Sequence, residues 1–390
     1  MVLLKLTHIR DRLQIAGPWY HPVPQQVQEG DNEEARLLQS MRRNTRWSLR
    51  GTLLEKVYVK SLLTLIILSL FIALSCWMGF EFLGHSETRC LTPSVRREWR
   101  TLSAADKKSY ILAVKCLMDL PSIFDSQTSH FDDFTYAHIT AGGSSHYAAA
   151  FLPWHRMFVH TYEQTLRQKC QYGGAQPYWN WVLDSRDLSQ SPVWDSELGF
   201  GLDGGSEGDH CVEKGPFAGR RYAWRHLPEK GIAEMEPHCL SRWFRDRHSL
   251  EDAEDEVLFL KIYDRISPEY VNETLNAADY SSFFKKFEAG AHNAIPMFIR
   301  GEWLNFTATN DPVFFLHHAQ VDRLWWLWQD HDPKGRLKEY FGPSENFLGE
   351  HHQNMESHSK DVLPMGGLVS DGKVEDYLST SGGHLCYTYD

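Results

Sequence analysis

Basic residues are in deficit: 40 Lys and Arg stand against 51 Asp and Glu, a formal charge of −11. That balance argues against nucleic-acid binding as the main role, because a phosphate backbone requires a basic footprint. No internal repeat runs through the 390 residues, which sets aside repeat architectures. Cysteine is sparse, with seven in all. Charge is also absent from a strongly apolar run at Ser61 to Phe80, SLLTLIILSLFIALSCWMGF. That is the length of a helix spanning a bilayer, roughly 20 residues at about 1.5 Å each. A cleaved signal peptide would have a shorter apolar region and lie close to Met1.

Charge around this run predicts an orientation. Arg42, Arg43, Arg46, Arg50, Lys56 and Lys60 precede it against a single acid, Glu55, whereas Glu81 and Glu87 open the far side. By the positive-inside rule the N-terminus is cytoplasmic and the chain beyond about residue 84 is lumenal or extracellular. Residues 1–60 lack sustained periodicity and read as a flexible cytosolic tail, 61–83 as a single-pass transmembrane helix, and 84–390 as the lumenal domain. Two features agree. Asn272-Glu-Thr274 and Asn305-Phe-Thr307 are glycosylation acceptors usable in a secretory lumen. Six cysteines, at 90, 116, 170, 211, 239 and 386, lie beyond the span, an even number for an oxidising compartment, with the pairing left open. Cys76 lies in the span and is expected to be unpaired.

What the chain does have is histidine, 20 in number, and a mainly α pattern. Ser103 with Asp106 caps a helix along Tyr110, Val114 and Leu117, with Pro121 just past its end. Pro153 opens a second helix to about Lys169, striped by Phe158, Tyr162 and Leu166. A third covers about Tyr280–Ala294. A fourth opens at Asn310-Asp311-Pro312 and runs to about Asp330. Residues 184–250 read as loops, and 331–390 as turns with short strands at most.

Two histidine clusters fall on separate helix pairs, the geometry in which a bundle builds a metal site in its core. His138 and His146 flank Ala141-Gly-Gly-Ser-Ser145, read as a loop able to fold two ligands back on one ion, and His155 follows on a helix. Three converging imidazoles hold copper, zinc or iron and leave a position open. His292 and His318 form the second cluster.

The stretch His138…His146…Phe-Leu-Pro-Trp-His155-Arg156, with Tyr162-Glu163 and Pro177-Tyr-Trp-Asn-Trp181, resembles the first copper site of tyrosinases. The stretch His292-Asn293, then Asn310-Asp-Pro-Val-Phe-Phe-Leu-His317-His318 and Asp322-Arg-Leu-Trp-Trp326, resembles their second. The likeness runs from about Cys90 to Tyr389 and is nearest to short fungal tyrosinase-like proteins, some of which serve the biosynthesis of secondary metabolites such as modified peptides. It implies a four-helix bundle with a type 3 copper centre that uses O₂ to oxidise phenols. His138, His146 and His155 would hold one copper, and His292 and His318 the other. His317 would be a packing or outer residue. Asn293 with Glu288 resembles the pair that positions a water to deprotonate a phenol.

The chain departs from that pattern. The family's second site has two histidines four residues apart, and here Pro296 follows His292. Proline offers no ligand atom and removes a backbone donor. Unless His317, another histidine, a carboxylate or water completes the set, this site is one ligand short. Ser144 stands where many fungal relatives carry a cysteine cross-linked to the second ligand. The chain ends in the equivalent of the catalytic core, so no shielding C-terminal domain is expected. His351, His352 and His358 read as solvated, and His160 as lying off the face of His155. His210, His226, His238 and His248 are possible replacement ligands. Trp325, Trp326 and Trp328 read as helix packing.

The expected function is a membrane-anchored copper oxidoreductase acting on a phenolic or tyrosine-containing substrate with O₂, in secondary-metabolite biosynthesis. Two alternatives stay open on the same fold. One is a mononuclear zinc or copper lyase or hydrolase. The other is a non-catalytic membrane-bound partner.

Overall fold

A computed structural model of the protein describes residues 56–75, 77, 90–205, 208–227, 231–344 and 356–390. These fall into two units, one holding residues 56–77 and the other 90–390. The first contains helix α1, Lys56–Ser75, with mean hydropathy 2.3, long and apolar enough to cross a membrane by length and composition. The expected cytosolic tail up to residue 55, Cys76 and the end of the expected span lie outside the described residues.

The second unit is mainly helical. It opens with strand β1, Ser94–Arg96, and helix α2, Ala104–Asp119. Ser103 caps α2 by accepting from the Asp106 amide, as the sequence predicts. Helix α3, His130–Ser145, starts from a complete capping box in which Ser129 and Asp132 satisfy each other's backbone amides. It runs through Gly142 and Gly143, so the expected ligand-bearing loop at 141–145 is helix instead. Helix α4, Phe151–Cys170, begins two residues before Pro153.

The region 184–250 is not all loop. Strands β2, Arg221–Leu227, and β3, Ile232–Cys239, form an antiparallel hairpin packed over α3. Asp132 accepts from the Ala223 amide, and the Asn310 side chain donates to the Trp224 carbonyl. After it come helices α5, Ala253–Arg265, and α6, Pro268–Leu275.

The expected third helix is broken into three. Helix α7, Tyr280–Phe287, is followed by a π turn, Glu288–His292, and then by α8, Asn293–Ile299. Pro296 supplies the physical reason. It has no N–H for the His292 carbonyl, and its ring crowds that carbonyl, so the turn before it widens. Helix α9, Val313–Asp330, takes Pro312 as its N-cap, and Asp311 accepts from the Val313 amide. Short strands β4, Val362–Leu363, and β5, Gly372–Lys373, precede β6, Tyr387–Tyr389, which pairs parallel with β1.

Helices α4 and α9 make the central helix contact. Tyr162 and Phe315 stack across it with ring centroids 3.5 Å apart, and Phe134 and Phe158 close around them. Beside this aromatic core lies a buried ionic knot. Asp322 accepts from Arg156 Nε, Arg96 Nη1 and the Tyr387 and Tyr389 hydroxyls, while Arg96 also pairs with Glu163 at 2.7 Å. Three disulfides, Cys90–Cys386, Cys116–Cys170 and Cys211–Cys239, resolve the pairing that spacing leaves open.

Candidate metal centre

The histidines reach one place from four elements. His138 comes from α3, His146 from its C-cap, His155 from α4, His292 from the π turn, and His317 and His318 from α9. All six are buried. They form two groups, His138–His146–His155 and His292–His317–His318, in each of which one ligand atom per residue lies within 4.8 Å of the others. The groups touch: the rings of His155 and His318 stack with centroids 4.2 Å apart.

Hydrogen bonds fix which nitrogen four of the rings present. His138 Nδ1 lies 2.8 Å from the Phe306 carbonyl, and His155 Nδ1 lies 2.8 Å from that of Phe151. A carbonyl only accepts, so each Nδ1 carries the proton and Nε2 keeps its lone pair. His146 Nδ1 is 3.2 Å from the Gly142 carbonyl. His292 Nδ1 is 2.9 Å from Asn293 Oδ1, whose amide Nδ2 donates to the Tyr147 hydroxyl. The Nε2 atoms of His138 and His155 and both ring nitrogens of His317 are buried without a partner. Burial pulls the pKa of all six down, His138 and His292 to about 4, so the rings are neutral and ready to donate at neutral pH. Neutral, inward-facing and unsatisfied imidazoles fit a transition-metal ion.

A cavity of about 350 Å³ opens onto both groups, and its walls include His138, His146, His292, His317 and His318 together with Pro296, Met297, Trp303, Phe306 and Phe314. The lining is mostly apolar and aromatic, suited to a flat ring. The expected pair Asn293 and Glu288 meets through Tyr147 instead. Asn293 bonds its hydroxyl, and Glu288 Oε1 accepts from its backbone amide at 2.7 Å. Glu288 Oε2 is buried without a partner, and burial holds this carboxyl well above the usual range. Tyr147 was not among the residues expected from sequence, although its position directly after His146 marks it.

His317 is the main difference from the expected arrangement, since it joins the second group rather than standing behind it. Of the possible replacement ligands, only His226 lines the cavity; His238 pairs with Glu302, and His210 stacks on Trp243. His351 and His352 lie outside the described residues.

Residues 128–331 match the model of the common central domain of tyrosinase. The chain is 45% identical to the tyrosinase-like protein phomQ1 of Diaporthe leptostromiformis over 93% of its own length and 95% of the relative's. It is 38% identical to tyrosinase ustQ of Aspergillus flavus, covering 77% and 80% of the two chains. It is 28% identical to the N-acetyl-6-hydroxytryptophan oxidase ivoB of Emericella nidulans, covering 83% and 100%. Among solved structures, a polyphenol oxidase variant from Thermothelomyces thermophila superposes with a TM-score of 0.64 at 28% identity, over 77% of this chain and 90% of that one.

Proposed function

The chain belongs to the tyrosinase family, and from that premise we propose that it is a membrane-anchored copper oxidoreductase that oxidises a phenolic or tyrosine-containing substrate with O₂. The observation that carries this reading is the pair of buried histidine groups in stacking contact on one aromatic-walled cavity. His138, His146 and His155 would hold one copper, and His292 and His318 would hold a second, on helices read as a four-helix bundle. Copper held there would supply the O₂-dependent redox chemistry.

The protein's own part is placement and proton handling. The Phe306, Phe314 and Met297 wall would seat the substrate ring, and burial of the cavity would limit water. A phenol must lose its proton to be oxidised. Glu288 and Asn293, bridged by Tyr147, are the polar groups that would position a water or the substrate hydroxyl for that loss. Placement in secondary metabolism draws support from the relatives, one of which is named for oxidation of a hydroxylated amino-acid derivative. The apolar helix α1 and the three disulfides support an anchored domain facing an oxidising lumen.

The test is O₂ uptake by the copper-loaded full-length chain in detergent with catechols and simple phenols. Uptake should occur and should fall by at least about 100-fold in His155→Ala, which removes a ligand and the stacking contact with His318. Tight binding of a single zinc, with no O₂ uptake, would replace this reading with hydrolytic or lyase chemistry.

A further inference from the structure

The identity of the third donor in the second histidine group deepens the reading above and rests on it. Position 296 still faces the cavity, but as a proline ring it brings only carbon. On the same wall, His317 is fully buried, and neither of its nitrogens has a partner. A neutral imidazole carries one donor and one acceptor, and burying both unmet is unfavourable. His138, His146, His155 and His292 each anchor Nδ1 on a neighbouring oxygen. His317 is held by ring packing alone, with Trp303 at 5.5 Å and Trp181 at 6.4 Å. Such a ring is positioned yet left with its hydrogen-bonding capacity unspent.

Geometry supplies the rest. The His317 ring lies 5.1 Å from that of His292 and 5.0 Å from that of His318. Consecutive helical residues point about 100° apart, so they rarely share a target. Here the target lies between them. His318 turns toward His155, His317 turns toward Trp303, and the π-turn ring of His292 faces both. We infer that His317 takes the coordination position that Pro296 leaves without a ligand, so that the second copper is held by His292, His317 and His318. Two of its three donors are then neighbours in sequence, and one substitution at 317 removes what a histidine at 296 would otherwise supply.

The experiment counts copper per chain by elemental mass spectrometry on full-length protein loaded with copper alone and dialysed. Wild type should hold two. His317→Phe keeps an aromatic ring against Trp303 but has no ligand atom, and should hold one, with the second copper's affinity lowered by more than the ~10–100-fold typical of an outer-shell change. Adding Pro296→His to that variant should restore two. The copper on His138, His146 and His155 is the internal control for folding. If both coppers are lost, His317→Leu takes the place of the Phe variant, with the same expected count. Retention of two coppers by His317→Phe would overturn the inference, as would a double variant that stays at one. Wild type holding one copper would instead sink the two-metal reading itself.

Discussion

Asp322 illustrates how much a single buried residue carries here. It lies four residues beyond His318, and Arg156, which it binds, directly follows His155. It therefore ties together α4 and α9, the helices that carry His155, His317 and His318. Burial alone would raise its pKa, but the charges of Arg156 and Arg96 outweigh that and hold the carboxyl below its usual range. A carboxylate with a depressed folded pKa contributes stability above its unfolded value of ~3.9, and that contribution is lost as pH falls through the folded value. Asp322→Asn should cost about 3–5 kcal/mol near pH 7 by urea unfolding, and the gap from wild type should close as pH drops below about 4. A gap independent of pH would show that charge is not the cause. At this scale the sequence was partly readable. Histidine spacing marks where ligands fall along the chain. The character of His317 was not readable, because an imidazole's lack of partners exists only once Trp181 and Trp303 have closed around it.

Elements show the same division. The starts of α2 and α9 were readable because Ser103 and Asp311 satisfy amides a few residues away. Gly142 and Gly143 misled, since glycine weakens a helix and argues for a loop. The reason for glycine at 142 lies far along the chain. A Cβ there would come within 2.5 Å of the Phe306 ring, and the Phe306 carbonyl anchors His138. The helix tolerates Gly142 so that Phe306 can sit against it. Gly142→Ala should strengthen the isolated helix yet push Phe306 outward, at a packing cost of about 1–3 kcal/mol, and lower copper affinity at the first group more than at the second. Site-resolved copper titration reads this directly, and equal loss at both groups would refute it. The break between α7 and α8 belongs here too. Pro296 announces a distortion in sequence, but whether the chain kinks, ends or widens depends on the packing around His292.

For the whole molecule, the proposed lumenal placement of the histidine-bearing unit is read out by its two glycosylation acceptors. Asn272 and Asn305 are both exposed, the first on α6 and the second at the cavity rim. A lumenal domain should carry glycan at both, and Asn272→Gln and Asn305→Gln should each remove one glycan's mass in intact-protein mass spectrometry of chain purified from its secretory host. An unmodified wild-type chain would place the domain in the cytosol. Loss of the Asn305 glycan should also widen access to the cavity for bulky phenols while leaving small catechols unaffected.

The link between Cys90 and Cys386 has a mechanical consequence. If α1 anchors the chain as proposed, any pull on it reaches the folded unit at its first residues. That load would meet a covalent bond at Cys90, pass to Cys386, and spread through the paired strands Ser94–Arg96 and Tyr387–Tyr389. Such a tether would pull on a closed loop rather than on a free end.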